Sequence, residues 1–262
     1  MNEKTRNNET LELIRNRRTI RAYDPKPLPQ ENIDTIIHGA MRAPTAGNLM
    51  MYSIIHVKDQ ELKNKLVKTC DNQPHIAKAP LVLLFLADMQ RWWDFFEVSK
   101  VEEKCKEIGK EFQTPQESDL LLACCDALIA AQNSVVTAEA LDIGSCYIGD
   151  IMENYEIHRE MFDLPKWVFP IALVCYGVPK GDKNKIPLTP RFTRKYIQFT
   201  NRYSRLSKKD FEDMFKDAPQ KMQVKNADNL GQQFYLGKLG ADFTLEMRRS
   251  VKAALKEWLK KA

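Results

Sequence analysis

The residues from Ser118 to Leu141 are apolar almost all the way round a helix, leaving no polar stripe to face solvent. A helix of that kind is covered on its flanks, so the rest of the chain must be built around it. A second constraint is Pro80-Leu81-Val82-Leu83-Leu84-Phe85-Leu86, which reads as a strand buried on both faces. The unbroken apolar run here, Leu81 to Ala87, is far short of the roughly 20 residues that a membrane span needs.

Shorter elements alternate around these two. Leu11, Leu13 and Ile14 predict a helix over 9–17, and Ile33, Ile36, Ile37, Ala40 and Met41 predict another after Pro27 and Pro29. Tyr52 to Val57, Ile143 to Ile148 and Val168 to Tyr176 read as strands, and Glu61 to Cys70 as a helix. Such alternation points to an α+β or α/β body that ends near residue 200. From Asn201 the composition turns polar, yet Met247, Val251, Ala254, Leu255 and Trp258 form an amphipathic stripe. The expected organisation is a body over 1–200 and a mostly helical extension over 201–262 that packs on the body or on a partner subunit.

Composition narrows the functional classes. A chain of 262 residues with 44% apolar side chains can bury a full core. Its first thirty residues are charged and carry no apolar signal core, which argues for the cytoplasm. The six cysteines include no CxxC pair, and no His lies at zinc-finger spacing, so no metal site is expected. Of the +5 formal charge, residues 201–262 contribute a net +6, which leaves 1–200 near −1. The tail's charges are interleaved and no groove-reading motif is present, so neither nucleic acid nor membrane is an expected partner.

The cofactor question turns on phosphate. Neither GxGxxG nor GxxxxGK[ST] occurs, and with ten glycines in the chain, charged side chains must hold any phosphate. The stretch RNRRTIRAYD supplies Arg15, Arg17, Arg18 and Arg21 with the Thr19 hydroxyl. If it runs extended, Arg17, Thr19 and Arg21 share one face and Arg18 and Ile20 the other. About twenty residues later RAPTAGN ends a helical pattern at Pro44 and continues with small polar residues.

The window RRTIRAYDPKPLPQENIDTIIHGAMRAPTAGN resembles the opening of the FMN-dependent nitroreductase family, with its arginine-rich start, proline-containing link, helix and A-P-S-x-x-N segment. Further on, AAQNSVVTAEALDIGSCYIGDI is similar to the family's central helix and glycine-bearing strand, and PRFTRKYI to its late basic segment. The resemblance implies an α+β fold in which a mixed sheet and helices surround a long central helix. It also implies an intertwined homodimer, with FMN in interface clefts and NADH or NADPH as electron donor.

By the same resemblance Arg17 and Thr19, with Arg18 beside them, bind the FMN phosphate, and Arg21 lies at the flavin pyrimidine edge. Thr45, Ala46 and Asn48 would reach the flavin from the other subunit. Tyr147, Ile148 and Gly149 would run along it, and Arg191 or Arg194 would complete the phosphate clamp. The family's Gln-Pro-Trp is replaced by Met50-Met51-Tyr52; the Met50 thioether fills the space without the hydrogen bond. Trp92, Trp93, Phe95 and Phe96 are either a wall that stacks planar substrates or packing residues.

No side chain is expected as a catalytic residue: the chemistry resides at the FMN, with Arg21 as electrostatic support. The implied activity is ping-pong hydride transfer to nitroaromatic or quinone acceptors. Dehalogenation or ene reduction on the same fold, and flavin binding without catalysis, are the alternatives.

Overall fold

The structure, a computed structural model, describes residues 8–218 and 224–260. Positions 1–7, 219–223 and 261–262, which fall in the two predicted segments, lie outside the described residues. The described parts of Met1–Ile186 and Glu246–Ala262 form one compact unit, and Pro187–Leu245 form another.

The first unit opens with α1 (Glu9–Asn16), α2 (Gln30–Met41), β1 (Tyr52–His56), α3 (Gln60–Thr69) and α4 (His75–Lys78). It continues with β2 (Leu81–Asp88), α5 (Gln90–Val98), α6 (Val101–Glu107) and α7 (Glu117–Ala140). After these come β3 (Gly144–Ile148), α8 (Tyr155–Met161) and β4 (Val168–Gly177). The second unit holds α9 (Lys208–Met214) and α10 (Leu230–Phe234); α11 (Asp242–Trp258) starts there and joins the first unit from Glu246.

The strands form a sheet ordered β1-β2-β4-β3 with antiparallel neighbours, in which Tyr52 faces Ala87, Leu81 faces Tyr176 and Gly144 faces Gly177. A parallel bridge from Thr19 to Ser145 at the β3 edge makes it mixed. All eight residues of β2 are buried, as its continuous apolar run requires.

The α7 helix lies against α2, β2 and β4, the central helix of an α+β body. Ala123, Ala127, Ala130, Ala131 and Ala138 are buried along it, and such short side chains let neighbouring backbones come close. Where α2 crosses, a Cβ on Gly39 would stand 2.1 Å from Thr137 Oγ1, and the Asn133 amide donates to the Gly39 carbonyl at 2.5 Å. Only glycine permits that crossing. The opposite flank of α7 leaves Leu121, Leu122, Leu128 and Ile129 exposed, so its all-round apolar character is only partly used within one chain.

The final turns of α11 are fastened by indole hydrogen bonds. Trp167 Nε1 donates to the Trp258 carbonyl, and Trp258 Nε1 donates to that of Gln116, both at 3.1 Å. Ser250 Oγ accepts from the Tyr155 amide at 2.8 Å and donates to the Met152 carbonyl at 2.7 Å.

Candidate functional site

The arginine-rich segment leaves α1 and runs extended beside β3. Ile20 N donates to the Ser145 carbonyl at 2.9 Å, and Ile20 itself is 1% exposed. Because the segment alternates, burying Ile20 turns its neighbours outward: Arg21 is exposed, and Arg17 and Thr19 are half-buried. Both Arg17 and Arg21 act on Cys146 of β3. Burial pushes its thiol up, while first Arg21 and then Arg17 pull it down. Burial likewise holds the Tyr147 phenol up at about 12 against the charge of Arg17. A basic, open-faced strand edge is the result.

Arg18 does something different. Its guanidinium donates to the Ile186 carbonyl at 2.7 Å and to that of Asn16 at 2.6 Å, clasping backbone on either side. These two bonds use Nε and one Nη1 hydrogen of Arg18, so part of the guanidinium is spent on holding backbone.

β3 ends in Tyr147 and Ile148, and Gly149 opens the helical turn that follows. Among the described residues, a Cβ on Gly149 would meet nothing within 4 Å, which leaves open space above it. Next to it, Asp150 accepts from Gln73 Nε2 at 2.6 Å. Glu153 is buried, its Oε1 has no partner among the described residues, and burial, reinforced by the Asp150 charge, lifts its carboxyl to about 7. His75 Nε2 is also buried without a partner among the described residues; burial and then the charge of Arg21 lower the imidazole's pKa. Gln73 and His75 thus belong to the neighbourhood of Arg21 and Asp150. Sequence reasoning passed over them because Gln73-Pro74-His75 looks like an ordinary connection.

The second grouping is the turn after α2. Gly47, Asn48 and Met50 adopt φ of 56°, 58° and 47°, and Asn48 is exposed while Thr45, Ala46 and Met50 are half-buried. Thr45 Oγ1 accepts from Met50 N at 3.3 Å. Asp126 of α7 accepts from the amides of Ala46 at 3.0 Å and Met51 at 3.2 Å. From α5, Trp92 Nε1 donates to the Leu49 carbonyl at 2.8 Å, and Arg91 reaches the carbonyls of Met50 and Tyr52, each at 3.2 Å.

The aromatic cluster divides. Trp93 is a core residue and not part of an open wall: its ring centroid lies 4.4 Å from Trp167 and 5.2 Å from Phe112. Trp92 touches Phe95 and Phe96 at 5.9 Å each, and Phe95 is exposed. Arg191 and Arg194 belong to the second unit, where Arg191 donates to the carbonyls of Thr189 and Pro190 and Arg194 to Gln198.

A long central helix packed on a small mixed sheet, edged by a basic extended segment with open space beyond it, is a scaffold whose chemistry suits an anionic group. The chain belongs to the Nitroreductase family, whose profile matches residues 14–178. It is 33% identical over 184 residues to the FMN reductase (NADPH) of Bacillus subtilis, covering 70% of this chain and 71% of that protein. It is 30% identical over 200 residues to the oxygen-insensitive NADPH nitroreductase of Salmonella typhimurium, covering 76% and 77% respectively. The solved structure of NfrA1 nitroreductase from B. subtilis aligns with a TM-score of 0.77 at 26% identity, over 94% of this chain and 98% of that one.

Proposed function

We propose that this protein is an FMN-dependent oxidoreductase that takes hydride from NADH or NADPH and passes it to a small nitroaromatic or quinone-type acceptor. The observation that carries the reading is the gathering of Arg17, Thr19 and Arg21 on the β3 edge beside the open space at Gly149. FMN, when bound, supplies a single hydride-accepting centre that serves donor and acceptor in turn.

The chain's own residues have distinct tasks. Arg17 and Thr19 hold the phosphate by charge-assisted hydrogen bonds. Arg21 is the fixed positive charge for the pyrimidine edge. Gly149 and the backbone of Tyr147 and Ile148 give the ring its room. Trp92, Phe95 and Phe96 form the wall for a planar acceptor, and Met50 fills its place without a hydrogen bond.

The working form is a cytoplasmic homodimer. The exposed Leu121, Leu122, Leu128 and Ile129 flank of α7 is the apolar surface that a second copy would cover. Thr45, Ala46 and Asn48 of one copy would then serve the flavin of the other.

The visible absorption spectrum of the purified protein, followed by anaerobic addition of NADH and NADPH in turn, tests the reading. A flavin band that bleaches supports it and selects the donor. A band that persists refutes nicotinamide oxidation, and no band even after FMN is supplied overturns the proposal.

A further inference from the structure

Asp126 is 2% exposed in α7 and lies next to the buried Ala127, one turn from Ala123 and Ala130. A carboxylate at such a depth is costly unless its oxygens are hydrogen-bonded. Here each oxygen accepts one backbone amide, Ala46 N on Oδ1 and Met51 N on Oδ2. Those two amides flank the turn in which Gly47, Asn48 and Met50 are left-handed. Gly47 adopts that conformation freely and Asn48 at small cost, but Met50 is strained and persists only where its surroundings hold it. The carboxylate is therefore anchored at both ends of the strained turn.

The bond pattern also explains why an acid stands here. Both partners are donors, so the side chain must accept twice and donate to neither. An amide in its place would satisfy one donor and aim an NH2 at the other. On the far side of the turn, Arg91 of α5 holds the carbonyls of Met50 and Tyr52.

We infer that Asp126 is a positioning residue, fixing the Thr45–Met50 turn at the height from which it meets the flavin, with Arg91 as the opposing anchor. The inference rests on the FMN reading above for its purpose and on the hydrogen bonds for its mechanics.

The test compares wild type, Asp126→Asn, Asp126→Glu and Arg91→Gln by hydrogen exchange of the apoprotein and by titration with FMN and riboflavin. Asp126→Asn is expected to speed exchange at Ala46 and Met51 by about tenfold or more while the β2 and β4 amides keep their protection. FMN and riboflavin should weaken by the same factor, about tenfold, because the turn meets the ring and not the phosphate. Asp126→Glu should recover part of both effects. Arg91→Gln, at a half-exposed side chain that the fold does not bury, should loosen the same turn.

Unchanged exchange and unchanged flavin affinity in Asp126→Asn overturn the inference. Exchange that accelerates equally across the sheet also overturns it, by making Asp126 a general stability residue. A wild-type protein that binds no FMN removes the flavin purpose, and that result stands apart from the exchange data.

Discussion

Ile20 occupies the space that a side chain on Gly144 would need: a Cβ there would lie 2.3 Å from Ile20 Cγ1. The arginine-rich segment is seated by that contact, because Ile20 N also bonds the Ser145 carbonyl. Gly144→Ala should push Ile20 outward, destabilise the fold by about 1–3 kcal/mol and weaken FMN binding through displaced Arg17 and Arg21. Urea unfolding and FMN titration read the two effects. Adding Ile20→Ala, which removes both Cγ atoms that the new Cβ would meet, should recover part of the FMN affinity, and a Gly144→Ala variant that binds FMN normally would show that the segment is seated by something else.

Arg17→Ala removes a cation from the half-buried face of that segment. Loss of hydrogen bonds to a charged group costs about 1.5–3 kcal/mol, so the FMN dissociation constant should rise roughly 10–100-fold. Riboflavin, which has no phosphate, should be nearly unaffected. Equal losses for the two ligands would move Arg17 from phosphate to ring.

Glu153 gives the stability a pH dependence of definite sign. Burial and Asp150 raise its carboxyl from 4.5 to about 7, so between those values the folded state holds a proton that the unfolded chain has released. Stability from this group is full below about pH 4.5 and falls as pH rises through 7. Glu153→Gln keeps the neutral shape and should be more stable than wild type at pH 8 by about 2 kcal/mol, with no difference near pH 4.5. Thermal melts at the two pH values decide it, and equal melting temperatures at pH 8 would mean that Glu153 ionises without penalty.

Trp258 ties the last helix to the first unit through two indole hydrogen bonds and a buried ring. Trp258→Ala should cost about 3–5 kcal/mol, whereas Trp258→Phe, which retains most of the packing and loses only the bond to a Gln116 carbonyl that still accepts from Leu120 N, should cost about 0.5–1.5 kcal/mol. Denaturant titration of the two variants separates packing from hydrogen bonding.

What the residues revealed in advance was whatever depends on local periodicity. The four strands and α7 follow from continuous or alternating apolar runs, and the role of Ile20 as the inward residue of its segment follows from two-residue alternation. Contacts closed across the chain were hidden. Asp126 meets Ala46 and Met51 from 80 and 75 residues away, and nothing in a mostly apolar helix announces which loop a buried carboxylate will hold, or whether Asp126 or the also buried Glu139 will hold it. Arg91 was overshadowed by its aromatic neighbours, although it and Trp92 together hold three carbonyls of the turn. An acid in the middle of a mostly apolar helix was the available signal, and it indicated a buried partner without naming one.

Arg21 separates binding from chemistry. Its guanidinium is exposed beside Cys146 and His75, so it can be removed without opening the core. A fixed cation aimed at charge that develops during transfer contributes mainly to the rate. Arg21→Ala should therefore slow anaerobic single-turnover reduction of bound FMN by NADH or NADPH about 100-fold, while the FMN dissociation constant changes by less than about tenfold. Arg21→Lys should restore part of the rate, since it returns charge without the planar fork. If the rate is unchanged and affinity collapses, Arg21 belongs with Arg17 as a phosphate ligand, and the electrostatic support must come from elsewhere on the β3 edge.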